Sequence, residues 1–251
     1  MCIAAVTALS LLHHPLHVKS QTNKQTASFT QTWAGYINQT RLSKHWGIWF
    51  DAQLFTKDHL VKGLYQSEIR PGAIYYINDN TRISAGYGFI NNFPFNGHKN
   101  ISRPENRLWQ QLQWFTNAGR IKNMQWVRFE QRYTRRVAND STLAPGSDFA
   151  YRLRYNYLLS APVGKSSPWS FVLNNEVYVN FGKNIKYNYF DQNRFFAGFS
   201  CRTAPSDNLQ FGYMNLFQQL PAGNQYRMIH AVRVYYFNNI DLRRKTPAAK
   251  K

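Results

Sequence analysis

The segment Trp126–Arg136, WVRFEQRYTRR, places Arg128, Glu130 and Arg132 at alternate positions. Val127, Phe129, Gln131 and Tyr133 lie between and around these charges, and three of the four are apolar or aromatic. Successive side chains of a β-strand point to opposite faces, so the pattern predicts a strand with one ionic face and one apolar face. Such a strand fits a soluble sandwich, with its charges in water, or a membrane barrel, with its charges lining a polar lumen.

The length of the predicted strands favours the membrane barrel. Each of eleven candidate strands runs for 10 to 13 residues, whereas strands of soluble proteins usually have about 5–6. A tilted strand needs about 9–11 residues to cross a bilayer. The candidates are 32–41, 45–57, 65–77, 81–91, 104–116, 124–136, 149–160, 169–180, 192–202, 208–217 and 226–237.

The predicted connections alternate between short and long. Short turns at 78–81 and 203–207 alternate with long loops at 91–104, 136–148 and 180–192. Short periplasmic turns and longer extracellular loops are typical of outer-membrane barrels. We therefore predict an all-β fold, an antiparallel up-and-down transmembrane β-barrel of 10–12 strands.

Strand parity favours twelve strands within that range. Bacterial single-chain barrels have even strand numbers, because both chain ends lie in the periplasm. If the short turns are periplasmic, the strand at 32–41 begins on the outer side. An additional strand is then expected before it, within residues 22–31.

Alternation also assigns a charged face and an apolar face to the series of strands. We predict that the charged face lines the lumen as an ion-paired network, and that the apolar face contacts lipid. The predicted lumen network consists of Arg107, Arg128, Glu130, Arg132, Arg152, Arg154, Glu176, Arg194, Arg202 and Arg233. The apolar face is represented by Ile69, Ile83, Tyr87, Leu108, Leu112, Val127, Phe129, Leu153, Tyr155, Val179, Phe195, Phe199, Val232 and Val234.

Glu130 and Glu176 are the acids that the surrounding arginines outnumber most clearly. We expect Glu130 to pair with Arg107 or Arg154, because opposite charges on adjacent strands stabilise a sheet face. Glu176 should pair with Arg152, Arg154 or Arg194 for the same reason. Both carboxylates should therefore be structural ion-pair partners rather than a catalytic acid pair.

The composition narrows the classes of partner. The chain has 31 basic and 12 acidic residues, a formal net charge of +19. Such an excess is typical of proteins that bind nucleic acid, an anionic surface or an anionic ligand. The sequence contains no recognisable nucleic-acid-binding module, so we predict no nucleic-acid partner, whereas an anionic ligand and outer-membrane lipid stay open as partners. The 16% aromatic content suits a barrel with aromatic belts at both membrane interfaces.

Cysteine and metal-ligand patterns predict neither a metal site nor a cofactor. The two cysteines are Cys2, in the N-terminal segment, and Cys201, so no intrachain disulfide is expected in a mature chain. His, Asp and Glu do not cluster at the spacings that zinc or calcium sites use.

The two ends of the chain differ from the strand series. Cys2–Leu12 is an apolar run of signal-peptide length, so residues 1–20 are predicted to be a signal peptide; a short buried helix is the alternative. Residues 21–238 form the predicted barrel domain. Residues 239–251 are basic and are predicted to be a disordered tail.

Several segments together resemble a known family. They are WVRFEQRY (126–133), YRLRYNY (151–157), NNEVYVN (174–180), FDQNRFFAGFS (190–200) and the early QTWAGYINQTRLSKHWGIWFDAQ (31–53). The chain resembles the domain of unknown function 2490, a family of outer-membrane β-barrel proteins common in Bacteroidetes. The resemblance extends over about 30–238 and implies location in the outer membrane of a Gram-negative bacterium. It supplies no catalytic residues.

Four functions follow from this interpretation. The leading one is a structural or binding role, in which a ligand or partner contacts the Arg/Glu-rich lumen or the long outer loops. A small anion-leaning pore is the second, since rings of Arg select anions. A lipid or lipopolysaccharide hydrolase is the third, with His59, His98 or His230 as the candidate base. A soluble periplasmic calycin-like barrel, with its apolar face inside, is the fourth. Enzymatic activity is not expected but stays open.

Overall fold

The structure, a computed structural model, describes residues 24–57, 59–95 and 98–243 and is an eleven-stranded closed β-barrel. The prediction of an all-β barrel of 10–12 strands is confirmed. No helix of the described chain is long and apolar enough to cross a membrane. The strands are β1 Gln25–Arg41, β2 Trp46–Thr56, β3 Leu64–Tyr76, β4 Thr81–Asn92, β5 Arg103–Ala118, β6 Ile121–Asn139, β7 Thr142–Pro162, β8 Trp169–Phe181, β9 Phe190–Ala204, β10 Asp207–Gln219 and β11 Gln225–Asp241.

The ring closes through a parallel pair. All consecutive strands are antiparallel, whereas β1 and β11 run in the same direction, with Trp33 opposite Arg233 and Arg41 opposite Asp241. An odd number of strands can close in this way, because the first and last strands then point alike. The preferred count of twelve is therefore wrong: parity holds only for a barrel that closes antiparallel. Residues 25–31, where an additional strand was expected, are the beginning of β1.

We expect the parallel closure to be detectable by cross-linking. Ala34 and Val234 are opposite each other in this pair, and both side chains are exposed on the outer face. In a background without Cys2 and Cys201, oxidation of Ala34→Cys/Val234→Cys should give an intrachain disulfide, seen as faster migration of the denatured chain on a non-reducing gel. The control Ala34→Cys/Val232→Cys offsets the pair by about 6.6 Å along the strand and should cross-link poorly. Equal, weak cross-linking of both pairs would indicate that another strand separates β1 from β11.

The two ends of the barrel have different connections. The turn end carries connections of two to six residues, at 42–45, 77–80, 119–120, 163–168 and 205–206. The loop end carries the connections at 57–63, 93–102, 140–141, 182–189 and 220–224. The prediction of a long loop at 136–148 is wrong, because β6 and β7 extend to 19 and 21 residues and meet in a tight hairpin turn. The chain enters β1 at the loop end and leaves β11 at the turn end.

The last strand, β11, extends past the predicted end of the barrel domain. The barrel begins one residue after the described chain starts, and β11 continues to Asp241, beyond the position 239 at which the tail was predicted to begin. The predicted signal peptide, residues 1–20, and the rest of the tail, residues 244–251, lie outside the described residues.

The two faces of the wall are chemically opposite. Outward side chains are mostly apolar and exposed, for example Ile69, Leu108, Phe199 and Val232 at 44–49%. Most inward side chains are buried, and they include charged, neutral polar and apolar residues. Charged residues fill the middle of the lumen, and aromatic and aliphatic residues such as Trp109 lie beside them.

Candidate functional site

Glu130, on β6, is the centre of a charged network that crosses the lumen. Its side chain is completely buried. One carboxylate oxygen accepts a hydrogen bond from Arg152 Nη2 at 2.5 Å and the other from Arg154 Nη1 at 2.6 Å. Arg107 Nη1 lies 3.8 Å away. The sequence analysis named Arg107 and Arg154 as partners, and the structure adds Arg152, which is directly opposite Glu130 in the β6–β7 register.

The network extends towards the loop end through Glu105. This buried carboxylate pairs with Arg107, two residues along the same strand, and accepts a hydrogen bond from Arg132 Nε at 2.8 Å. Thr134 Oγ1 donates to the second oxygen at 3.0 Å. Asp191 adds another acceptor on this side, 3.2 Å from Arg152 Nη1.

A second branch reaches β2 and β3. Glu68 lies 2.9 Å from Arg70 and 3.7 Å from Arg107. Arg70 Nε in turn donates to Asp51 at 2.8 Å, and Trp49 Nε1 donates to the other oxygen of Asp51 at 2.7 Å. Each carboxylate of this branch therefore has an arginine and a second donor or cation nearby, and such partners make burial of its charge tolerable.

A third branch leads to β8. Glu176 accepts hydrogen bonds from Arg154, at 2.7 Å from Nε, and Arg154 thereby joins two carboxylates on different strands. The guanidinium of Arg154 also stacks on Tyr178, 4.5 Å from the ring centroid. Such planar contacts add to the ion pairs, because guanidinium is weakly hydrated and interacts well with aromatic faces.

Several arginines of the lumen, among them Arg128, Arg194 and Arg233, have no carboxylate partner among the described residues. Arg128 instead donates to Gln111 Oε1 at 2.9 Å, and Arg233 donates to Gln210. Arg194 lies between the rings of Trp33 and Tyr178, 4.9 and 4.8 Å from their centroids. The contacts of these three guanidinium groups are therefore neutral amides and aromatic rings.

The ten residues predicted for the lumen network fall into three groups. Arg107, Glu130, Arg132, Arg152, Arg154 and Glu176 are brought together as ion pairs. Arg128, Arg194 and Arg233 face the lumen without a carboxylate partner. Arg202 faces the opening at the turn end and is exposed.

The ten predicted residues did not include Asp51, Glu68, Arg70, Glu105 and Asp191, which also belong to the network. Glu105 is two residues from Arg107 on the same strand, so alternation places both side chains on the inner face and could have identified Glu105. Asp51 alternates with Trp49 and Gln53 on the inner face of β2. This face therefore mixes aromatic and polar residues, and the sequence does not show one charged face and one apolar face. Asp191 lies at a β-bulge, where the register between β8 and β9 shifts, so alternation gives the wrong face for it.

Two chambers lie on either side of the network. The loop-side chamber has a volume of about 790 Å³ and the turn-side chamber about 440 Å³. Trp33, Arg154 and Arg194 line both chambers. The network therefore lies between the two chambers, and these three side chains border both of them.

The histidines with described hydrogen bonds do not form a nucleophile–base pair. His45 Nδ1 lies 3.1 Å from Tyr76 O, and His98 Nδ1 lies 2.8 Å from Ile101 O. His230 is on the outer face, 2.6 Å from Tyr213 Oη. In the part of the chain that the structure describes, no three His, Cys, Asp or Glu side chains are grouped as a metal site would need.

A separate ionic cluster fixes the end of β11 at the turn end. Arg41 Nη1 lies 2.5 Å from Asp79, and Arg243 Nη2 lies 2.6 Å from Asp241. The hydrogen bond from Arg41 lowers the pKa of Asp79, which lies in the turn between β3 and β4. Leu242 N donates to Arg41 O at 2.8 Å beside this cluster.

Eleven strands closed around an ion-paired lumen, with an apolar outer wall, define a small β-barrel protein with a polar interior. The chain belongs to the family described as protein of unknown function (DUF2490), whose model matches residues 30–227. The resemblance noted from the sequence is thereby confirmed. Comparison with curated proteins and with solved structures gave no significant match.

Proposed function

We propose that this protein spans the outer membrane of a Gram-negative bacterium and serves a binding or structural role, with a lumen that does not conduct. The observation that carries the proposal is the combination of an apolar outer wall with an interior closed by buried ion pairs. A soluble barrel would place these two surfaces the other way round.

Three features support the membrane location. Every strand has 11 to 21 residues, enough to cross a bilayer when tilted. Most outward side chains in the middle of the wall are aliphatic or aromatic and exposed, although the polar Gln110 is among them. Outward aromatic residues occur at both ends, with Trp46 and Trp169 near the turn end and Tyr133 and Phe181 near the loop end, as in the aromatic girdles of membrane barrels.

The closed lumen is supported by size and charge. Eleven strands enclose a narrow interior, whereas aqueous channels need about 16–18. The network around Glu130 occupies the middle of this interior, and its paired charges are buried to 7% exposure or less, apart from the half-buried Arg132. Opening a passage here would require separating several buried ion pairs, which is energetically costly.

Membrane fractionation tests the proposal first. Expressed with a functional leader, the protein should be recovered in outer membranes and should migrate differently on a gel before and after boiling. A monodisperse periplasmic protein that needs no detergent would overturn the proposal and favour the soluble alternative.

Matched arginine substitutions test the outer face directly. Leu108 lies outward near the middle of β5, and Val163 lies in a connection at the turn end; both are exposed. Leu108→Arg should destabilise the membrane-inserted barrel by about 2–4 kcal/mol, and Val163→Arg by about 0–1 kcal/mol, because the cost of a charge depends on its depth in the bilayer. Urea unfolding in lipid vesicles measures both values. Equal effects of the two variants would argue against a bilayer around β5.

An anion-leaning pore is the second candidate, favoured by the arginines that lack a carboxylate partner. Planar-bilayer recordings distinguish it from the closed barrel. We expect no steady conductance steps from the wild-type protein. Reproducible conductance steps with anion selectivity would show that the protein is a pore and not a closed barrel.

Hydrolysis of phospholipid or lipopolysaccharide that is lost in His98→Ala would establish the hydrolase instead.

A further inference from the structure

We propose that the turn-side chamber binds a small organic anion that has an apolar body, such as a medium-chain or aromatic carboxylate. The chamber opens at the turn end, and its volume of about 440 Å³ is within the usual range for small-molecule sites, about 300–1,000 Å³. The statement that the ligand enters from the periplasm rests on the proposed function. The binding of the anion itself does not.

The charge on the chamber wall is strongly unbalanced. Nine basic side chains and two acidic ones line it, a formal excess of seven positive charges. The two acids are already engaged, Asp51 with Arg70 and Glu176 with Arg154. Seven basic residues of the chamber contact no carboxylate among the described residues: Arg82, Arg120, Lys122, Arg128, Arg194, Arg202 and Arg233.

Two of these cations are buried and incompletely bonded. Arg128 is 3% exposed and Arg233 is 6% exposed. Within the described structure, Arg128 Nη1 and Arg233 Nε have no hydrogen-bond partner. Arginine does not lose its proton in proteins, and a buried charge without a counter-ion is unfavourable. A bound anion would supply both the missing charge and the missing acceptors.

The order of side chains along the walls indicates how the ligand is oriented. From the turn end inward, β6 presents Lys122, Met124, Trp126 and then Arg128 to the chamber. On β11 the same direction gives Phe237, Tyr235 and then Arg233. On both strands an arginine at the floor therefore lies below apolar or aromatic side chains.

This layering specifies an amphipathic ligand. The anionic group should lie at the floor, where arginine makes charge-assisted and bidentate hydrogen bonds to carboxylates. The apolar body should pack against the rings and Met124 above it. Exposed cations at the rim, among them Arg202, attract anions to the opening, since a cleft with one sign of charge raises the local concentration of the opposite ion.

Calorimetric titration tests the inference with a matched pair of probes. Purified protein in nanodiscs of zwitterionic lipid is titrated with 2-naphthoate and with the neutral 2-naphthamide, and empty nanodiscs correct for partitioning. We expect 2-naphthoate to bind at one site per barrel and at least about tenfold more tightly than 2-naphthamide, because hydrogen bonds to charged groups contribute more than neutral ones.

Variants locate the binding site. Arg128→Gln and Arg233→Gln should each weaken 2-naphthoate binding by about tenfold or more, and Arg136→Gln, at an exposed position of the loop-end hairpin, should have no effect. If a buried variant does not fold, the exposed rim variant Arg202→Gln should still weaken binding at low salt. Equal affinity for both probes, or unchanged affinity in every chamber variant that folds, would overturn the inference.

The outcome is independent of the membrane proposal. If fractionation yields a soluble protein, the same titration is run in buffer, and tight 2-naphthoate binding would support the chamber while the membrane proposal fails. Outer-membrane recovery without 2-naphthoate binding would leave the membrane proposal intact and would overturn the proposal that the turn-side chamber binds an organic anion.

Discussion

Glu130→Gln should lower the free energy of unfolding by about 3–5 kcal/mol, the usual effect of removing one member of a buried ion pair. The substitution keeps the shape of the side chain but removes the one negative charge, among the described residues, that contacts both Arg152 and Arg154. Both guanidinium groups then stay buried with fewer counter-ions. Urea unfolding followed by tryptophan fluorescence, extrapolated to zero denaturant, measures the effect.

Asp148→Asn is the matched control for Glu130→Gln. It makes the same carboxylate-to-amide change on the neighbouring strand, but Asp148 is 45% exposed and pairs with the exposed Arg136 at 2.8 Å. Exposed pairs contribute about 0–1 kcal/mol, so this variant should remain near wild-type stability. If Glu130→Gln is equally mild, the centre of the lumen is solvated and does not form a closed network.

Gly86→Ala should destabilise the barrel by about 3 kcal/mol, at the upper end of the cost of overpacking. Gly86 on β4 is opposite Gly72 on β3, and Trp109 covers both glycines from the lumen. A Cβ at Gly86 would lie 2.2 Å from Pro71 O, 2.7 Å from Gly72 Cα and 2.8 Å from Trp109 Cζ2. Backbone atoms supply two of these contacts, so the strands themselves would have to move apart.

Gly88→Ala, on the same strand and the same face, is the control for Gly86→Ala. Its Cβ would lie 3.0 Å from Arg70 Cγ, a flexible side-chain atom, so a small rotation accommodates it. We expect a loss well below that of Gly86→Ala, measured by the same urea titration. Equal losses would mean that the general cost of a side chain on this face, and not the close approach of β3 and β4, decides the result.

The arginines of the ion-paired network and those of the turn-side chamber differ in how completely they are bonded. The ion pairs around Glu130 are nearly complete and resist change, which suits a structural partition across the lumen. Arg128 and Arg233 are incompletely bonded, which suits a place where something binds. The same residue type therefore has two roles in one lumen, and the presence or absence of a nearby carboxylate separates them.

The sequence by itself determined the class of fold and which face of each strand is charged and which is apolar. Long alternating segments specify strands, because side chains on a strand change face at every residue. The eleven candidate segments correspond to the eleven strands, and the charged positions on β5, β6, β7 and β8 were assigned to the inner face by parity alone. These signals are local, so they survive without knowledge of the partner strands.

Only the tertiary structure decided how the ring closes and which charges meet. The parallel β1–β11 pair joins residues about 200 positions apart, and no local pattern encodes that closure. The bulge that turns Asp191 inward depends on the register with β8. Arg152 contacts a carboxylate, whereas Arg128 contacts the amide of Gln111. This difference depends on distances across the closed lumen, because ion pairs form in three dimensions and alternation reports only which face a side chain occupies.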